Sequence, residues 1–281
     1  MTEATEYLRR IGHAGPVRAD SDTLAALHRA HLATVPYENL GIQLGRVPAL
    51  TRDALFRRVV EERHGGFCFE LNGAFGLLLR ELGFSVRLVR AAVNRLRDGE
   101  SAWGNHLALL VGTERGPMLA DVGFGDGFLA PLPLRIGSHR QPPFEFQLRR
   151  DLSGVWHLVH HQAGLAPGFE FGTEPLALAD FTPRCTELAS DPASPYVRTL
   201  TVQQPRADHS LSLRGRSLIR SALAGRDTRE LTDVDEFAAV LADEFGLPPL
   251  PPADLATLWR RAGEQQAAWN AAQRFRPSEL R

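Results

Sequence analysis

The spacing of apolar residues divides the 281-residue chain into three stretches of different period. The first is helical. In "DSDTLAALHRAHLATV", residues 20–35, Leu24, Leu27 and Leu32 recur near helical spacing. Asp20, Ser21 and Asp22 are cap candidates, and Pro36 stops the helix. "TRDALFRRVVEER" opens on Thr51, takes its apolar face from Leu55, Val59 and Val60, and stops at Gly65 and Gly66. A third helix is predicted over "FELNGAFGLLLREL", closed by Gly83.

The period then falls to two. "FSVRLVRAAV" sets Phe84, Val86 and Leu88 on one side against Ser85, Arg87 and Val89 on the other. "HLALLVGT", "PMLADVGF", "FEFQLRR" and "VWHLVHH" are further short runs bounded by Gly, Pro, Asp or Ser. Strands of this length and spacing predict an antiparallel sheet or small barrel. "FTPRCTELASDPASPYV", rich in Pro, Ser and Asp, reads as a linker. The last part mixes strand-like "RTLTVQQ" and "HSLSLRG" with amphipathic "DVDEFAAVLADEFG" and "PADLATLWRRAGEQQAAWNAAQ". Helical, then β, then mixed elements make an α+β chain.

Composition narrows the function. A formal net charge of -1 gives no electrostatic reason to expect nucleic acid as a partner. All 32 basic residues are arginine, which excludes Schiff-base chemistry on a lysine of this chain. No apolar run approaches the ~18 residues of a membrane span, and "MTEATEYLRRIG" lacks the basic start of a signal peptide. Two cysteines, Cys68 and Cys185, make no disulfide framework. The expectation is a cytoplasmic protein with reduced thiols and no membrane partner.

Cys68 stands out in "RHGGFCFELN". A lone cysteine is most often a small core residue. Here the glycine pair turns the backbone into a helix predicted to start at or just after Cys68. A helix N-terminus directs unpaired N–H groups and partial positive charge at a thiol there. That favours the thiolate and offers donors to an oxyanion. A thiolate also needs an imidazole. His157, His160 and His161 in "VWHLVHH" read as a solvated face or sheet edge. His28 and His31, three apart on a helix, lack the third ligand of a metal site. His106 opens the strand "HLALLV", and Asp121 ends the apolar run 15 residues on, so a hairpin would set them on neighbouring strands. Asp121 reads either as a turn cap or as the group that holds the imidazole tautomer in a Cys-His-Asp triad. "GFGDG", residues 123–127, is only a weak likeness of a phosphate loop; its glycines suit close backbone approach.

These stretches together resemble the arylamine N-acetyltransferases of prokaryotic type. "VPYENL" is similar to the family's N-terminal motif, with Tyr37 where Phe is usual. "RHGGFCFELN" resembles its cysteine motif, with His64 as a variation, and "NHLALLV", "LADVGFG" and "DPASPYVRTLTVQQP" resemble its later segments. The resemblance implies an α+β, cysteine-proteinase-like fold. Its regions are a helical bundle over 1–83, a β-barrel over 84–190 and an α/β lid over 191–281. It implies a triad of Cys68, His106 and Asp121, and ping-pong transfer of acetyl from acetyl-CoA to an arylamine, hydrazine or arylhydroxylamine. No metal is implied, and the chain would act as monomer or homodimer. Tyr37, Phe69, Val93 and Phe124 match positions lining the apolar acceptor pocket; for Phe69 and Tyr37 core packing is an equal reading. Gly125 would leave room for the pantetheine arm of CoA. Asn105 and Cys185 depart from the family's usual residues.

The main competing reading shares fold and triad. Ansamycin-type amide synthases take a polyketide from an acyl carrier protein and release it as a macrolactam. A cysteine peptidase or transglutaminase-like hydrolase, and a non-enzymatic sequestering module, fit the motifs less well.

Overall fold

The computed structural model describes residues 2–274. Helices form where caps and period coincide. The Asp20 carboxylate accepts from the Thr23 N–H at 2.8 Å and opens Ser21–Thr34. Thr51 Oγ1 accepts from the Ala54 N–H and opens Arg52–Phe56, but the run does not stay α-helical: Arg57–Glu61 widens into a π turn. Cys68–Glu81 is the central helix, with eleven of its fourteen residues buried, so it is covered on nearly every side. The glycine pair before it serves close approach. A Cβ on Gly65 would lie 2.1 Å from the Pro36 carbonyl oxygen, and one on Gly66 would lie 2.7 Å from Glu70 Cβ.

An eight-stranded antiparallel sheet follows. Its order is Leu132–Pro133, Gly116–Ala120, His106–Thr113, Ser85–Val93, Gly168–Phe171, Trp156–Val159, Phe144–Arg150, Gly137–Gln141. It is a nearly closed barrel. Gln141, on one edge strand, binds the backbone of Leu129 and Ala130 just before the other edge strand. The period-two pattern sorts two cores. Leu107, Leu109 and Val111 face the helices and pack with Leu71, Phe75 and Leu79. Ala108 and Leu110 face inward with Phe128, Phe146 and Phe171. Burial of each such Leu or Phe contributes roughly 1.5–3 kcal/mol.

A second antiparallel sheet runs Tyr37–Glu38, Thr201–Pro205, His209–Arg214, Ser217–Ala222, Gly225–Glu230. It packs on Val234–Ala239 and Pro252–Arg274 through Val202, Leu213, Phe237 and Leu258. Tyr37 ties this sheet to the cysteine helix. It is paired with Gln203 on one side and bridged to Gly66 on the other.

Two sequence expectations are corrected. The stretch read as a linker forms helices Thr182–Ser190 and Pro195–Arg198, and Phe181, Cys185 and Leu188 pack into the helical core. His160 and His161 are not solvated: both are buried. His160 shares a hydrogen bond with the Asp126 carbonyl, and His161 stacks on Phe144 at 4.0 Å. His157 alone is partly exposed, 3.1 Å from the Asp151 carboxylate.

Candidate active site

Cys68 is the first residue of its helix and is 1 % exposed. The thiol lies 3.8 Å from the Asn105 carbonyl, and the nearby Leu107 and Phe69 backbone N–H groups favour its ionised form. Burial nevertheless pushes the thiol pKa well up, and the Asp121 charge adds to this. A thiolate there requires a cation beside it. Beneath the helix start, the Arg58 guanidinium lies between Glu38 at 2.5 Å and Glu70 at 2.9 Å. Glu70 also accepts from the Phe67 N–H at 3.1 Å, which clamps the first turn.

His106 and Asp121 meet as the hairpin predicts. Leu109 pairs with Ala120 across the two strands, and His106 Nε2 lies 2.6 Å from Asp121 Oδ2. Both residues are buried. The bond uses Nε2 and leaves Nδ1 as the other ring nitrogen for chemistry. Asp121 is held on every side. Its Oδ1 accepts from Asn72 Nδ2 at 2.7 Å and from the Gly123 N–H at 2.9 Å. Asn72 lies one turn after Cys68 on the same helix and also bonds the Leu107 carbonyl and the Val122 N–H. Behind, His28 Nδ1 donates to the Leu129 carbonyl at 3.0 Å, and Nε2 accepts from the Asp121 N–H at 3.1 Å. Both His28 nitrogens are thereby spent on backbone, and burial pushes its pKa down to about 4.

These groups open on a cavity of about 200 Å³ between helix, barrel and second sheet. Tyr37, Val93 and Phe124 line it together with Cys68 and His106. Phe124 and Phe169 stand edge-on to one another and flank the His106 ring at 5.8 and 4.9 Å. Phe69 does not join them. It is fully buried against Phe67 and Phe181 in the helical core, because the second helical position points away from the cavity. Gly125 adopts φ +92°, and its Cα backs onto Gln203, where a Cβ would fall 2.5 Å from the amide oxygen. It borders the site without lining it.

A family model described as N-acetyltransferase matches residues 20–249. The chain belongs to the arylamine N-acetyltransferase family. This is an acyltransferase family. An arylamine N-acetyltransferase of Mycolicibacterium smegmatis is 35% identical over 248 residues, covering 86% of this chain and 90% of that protein. The solved arylamine N-acetyltransferase of Mycobacterium abscessus superposes with a TM-score of 0.84 at 29% identity, covering 93% of this chain and 95% of that one. The Mycobacterium marinum enzyme, solved in complex with CoA, gives 0.82 at 30%, covering 93% and 98%.

Several residues around the cavity escaped the sequence reading. Asn72 stood inside the cysteine motif without a role, although its i+4 spacing from Cys68 was a visible signal. Tyr196 donates to the Asn105 carbonyl at 3.4 Å and lines the cavity with Thr199, Gln203 and Arg214. Tyr196, Thr199 and Gln203 fall within "DPASPYVRTLTVQQP", which was matched without a role for any of them, and Arg214 ends a strand of the second sheet. No helix of the described residues is long and apolar enough to cross a membrane.

Proposed function

We propose that this acyltransferase moves an acetyl group from acetyl-CoA through a Cys68 thioester to an arylamine, hydrazine or arylhydroxylamine. The observation that carries the reading is the convergence of a helix-N-terminal thiol and a carboxylate-held imidazole on one cavity. His106 takes the Cys68 proton, and the thiolate attacks the acetyl carbon of the donor. The tetrahedral adduct expels the CoA thiolate, which recovers the proton from His106. The neutral amine then attacks the thioester carbon. It loses its proton through His106, and the Cys68 thiolate departs. Asp121, bonded at Nε2, fixes the tautomer and stabilises the imidazolium. The Phe69 and Leu107 N–H groups are suited to the developing oxyanion as well as to the sulfur.

The acceptor side follows from the cavity wall. Tyr37, Val93 and Phe124 supply apolar surface for an aromatic ring, and Phe69 supports the helix start from behind. An aryl amine suits such a wall because it is neutral near pH 7. We assign residues 2–83 to carrying the nucleophile, 84–190 to carrying His106 and Asp121, and 191–274 to covering the cavity; residue 1 and residues 275–281 of the expected regions lie outside the described residues. A reducing cytoplasmic setting suits the free thiol.

The test is intact-protein mass spectrometry after mixing with acetyl-CoA and no amine. One added acetyl group on the wild type is expected, absent in Cys68→Ala and cleared by an arylamine. A folded protein that takes no acetyl while iodoacetamide still alkylates Cys68 would refute acetyl-CoA as donor and favour a carrier-bound polyketide.

A further inference from the structure

The carbonyl oxygen of Asn105 serves two donors. The Cys68 thiol lies 3.8 Å from it, and the Tyr196 hydroxyl donates to it at 3.4 Å. A carbonyl oxygen has two lone pairs, so both are accommodated. Cys68 and Tyr196 also line the same cavity. Each side of this arrangement is fixed. The Asn105 side chain bridges Val93, accepting from its N–H at 2.8 Å and donating to its carbonyl at 3.0 Å. The Tyr196 carbonyl accepts from Asn39 Nδ2 at 2.9 Å and from Gln43 Nε2 at 2.6 Å, and Gln265 Nε2 donates to Gln43 at 2.8 Å. The Tyr196 ring stands edge-on to Phe67, the residue before Cys68, at 5.4 Å. Side-chain amides thus pin the short helix Pro195–Arg198, and that helix brings a phenol to the thiol.

We infer that Tyr196 is the neutral hydrogen-bond donor of the Cys68 thiolate: its hydroxyl rests on the Asn105 carbonyl while the thiol holds its proton, and turns to the sulfur once that proton has passed to His106. This rests on the Cys68 acyl-transfer reading above. The need comes from the site itself. Burial and the Asp121 charge both disfavour ionised sulfur there. Loss of the S–H proton also leaves the Asn105 carbonyl oxygen facing an anion with nothing between them. A phenol O–H on the sulfur offsets both effects, because a hydrogen bond to the charged form favours that form. Tyr196 suits the task. Burial pushes its own pKa well up, so it stays protonated and adds no second charge. The protons balance: the thiol proton moves to His106, and the phenol keeps its own. Once sulfur is bonded to the acyl carbon it carries no charge, and the hydroxyl returns to Asn105.

The test is the pH dependence of Cys68 alkylation by iodoacetamide, followed at the Cys68 peptide by mass spectrometry, in the wild type and in Tyr196→Phe without acetyl-CoA. Phenylalanine keeps the ring against Phe67 and every backbone bond, so only the hydroxyl is removed, and a thermal melt of each protein checks that the fold is kept. The titratable and charged groups facing the pair are the same in both proteins: His106 and Asp121 from the barrel, Tyr37 and Arg214 from the second sheet, and Arg184 and Cys185 from the helix Thr182–Ser190. The alkylation midpoint should move up by about one to two pH units in Tyr196→Phe, the worth of one hydrogen bond to a charged group. Acetylation by acetyl-CoA at neutral pH should slow roughly tenfold or more with it. A folded Tyr196→Phe protein with a wild-type or lowered midpoint overturns the inference. A variant that loses its fold also overturns it, since the hydroxyl would then be structural. The two readings fail separately: a wild type that takes no acetyl refutes acetyl-CoA as donor and leaves the midpoints to be compared, whereas normal wild-type acetylation beside an unmoved midpoint refutes only the role of Tyr196.

Discussion

Gly123 is the tightest point of contact between the aspartate segment and the cysteine helix. A Cβ placed there would lie 2.7 Å from Cys68 Cα, 2.8 Å from Asn72 Nδ2 and 3.0 Å from the Cys68 carbonyl oxygen. Two carbon atoms in contact sit roughly 3.5 Å apart, so Gly123→Ala must open the interface by about 0.8 Å. Two of the obstructing atoms are backbone of a helix buried on almost all faces, so the strain cannot be relieved by a rotamer change. Overpacking of this kind costs about 1–3 kcal/mol. The displacement falls on the bonds that fix the site, because the Gly123 N–H and Asn72 both hold Asp121 Oδ1. A misplacement near 1 Å lowers rate by roughly 100-fold, so kcat/KM for acetyl transfer should drop about 30- to 100-fold. Steady-state kinetics with an arylamine, read beside a thermal melt, separates the two effects. A folded Gly123→Ala protein with wild-type kcat/KM would refute the claim that this contact sets the triad geometry.

Asn72→Ala removes three buried hydrogen bonds and should lower both kcat/KM, by roughly tenfold or more, and stability, by about 2–4 kcal/mol; a loss in stability alone would contradict its role in holding Asp121. Arg58→Met leaves Glu38 and Glu70 buried without their shared cation and should cost about 3–5 kcal/mol in urea unfolding, with a midpoint like the wild type counting against the clamp. Stability should also fall in mild acid. Burial holds His28 and His31 neutral, with pKa values pushed down to about 4 and about 3, while each titrates near 6.5 when unfolded. Between pH 6.5 and 4.5 the unfolded chain therefore binds more protons at these two sites. Glu70, pushed up by burial to about 7 from an ordinary 4.5, works in the opposite direction over the same window. His161, pushed down by burial to about 3, adds a third site of the same sign. Three histidines against one glutamate leave a net loss of about 1.4–2.7 kcal/mol per pH unit, and a urea midpoint that stays level or rises on acidification would contradict the assignment.

What the sequence made legible was local. The start of the cysteine helix, the His106 strand and the hairpin that returns to Asp121 follow from glycine placement and period, because each depends on neighbours within a few residues. His160 and His161 were misread because their burial comes from Phe144, Phe146 and a carbonyl 34 residues away. A polar pair at the end of a strand carries no mark of that. The strand Gly225–Glu230 has no buried residue and no alternation; it exists by pairing with Ser217–Ala222. The helices within 182–198 did leave a signal, proline at the first or second position with a Ser194 cap, that the overall Pro and Ser content obscured. Phe69 shows the limit of carrying a role over by motif alone. One step along a helix turns a side chain about 100°, enough to exchange cavity for core.

The split origin of the site has a consequence during synthesis. The thiol leaves the ribosome well before His106 and Asp121 exist, and neither the helix cover nor the imidazole is then in place. An emerging chain thus carries an ordinary solvated cysteine with no base poised against it. The Cys68, His106 and Asp121 arrangement exists only once the hairpin docks onto the helix through Asn72 and Gly123. Assembly of the site and completed folding thereby become the same event.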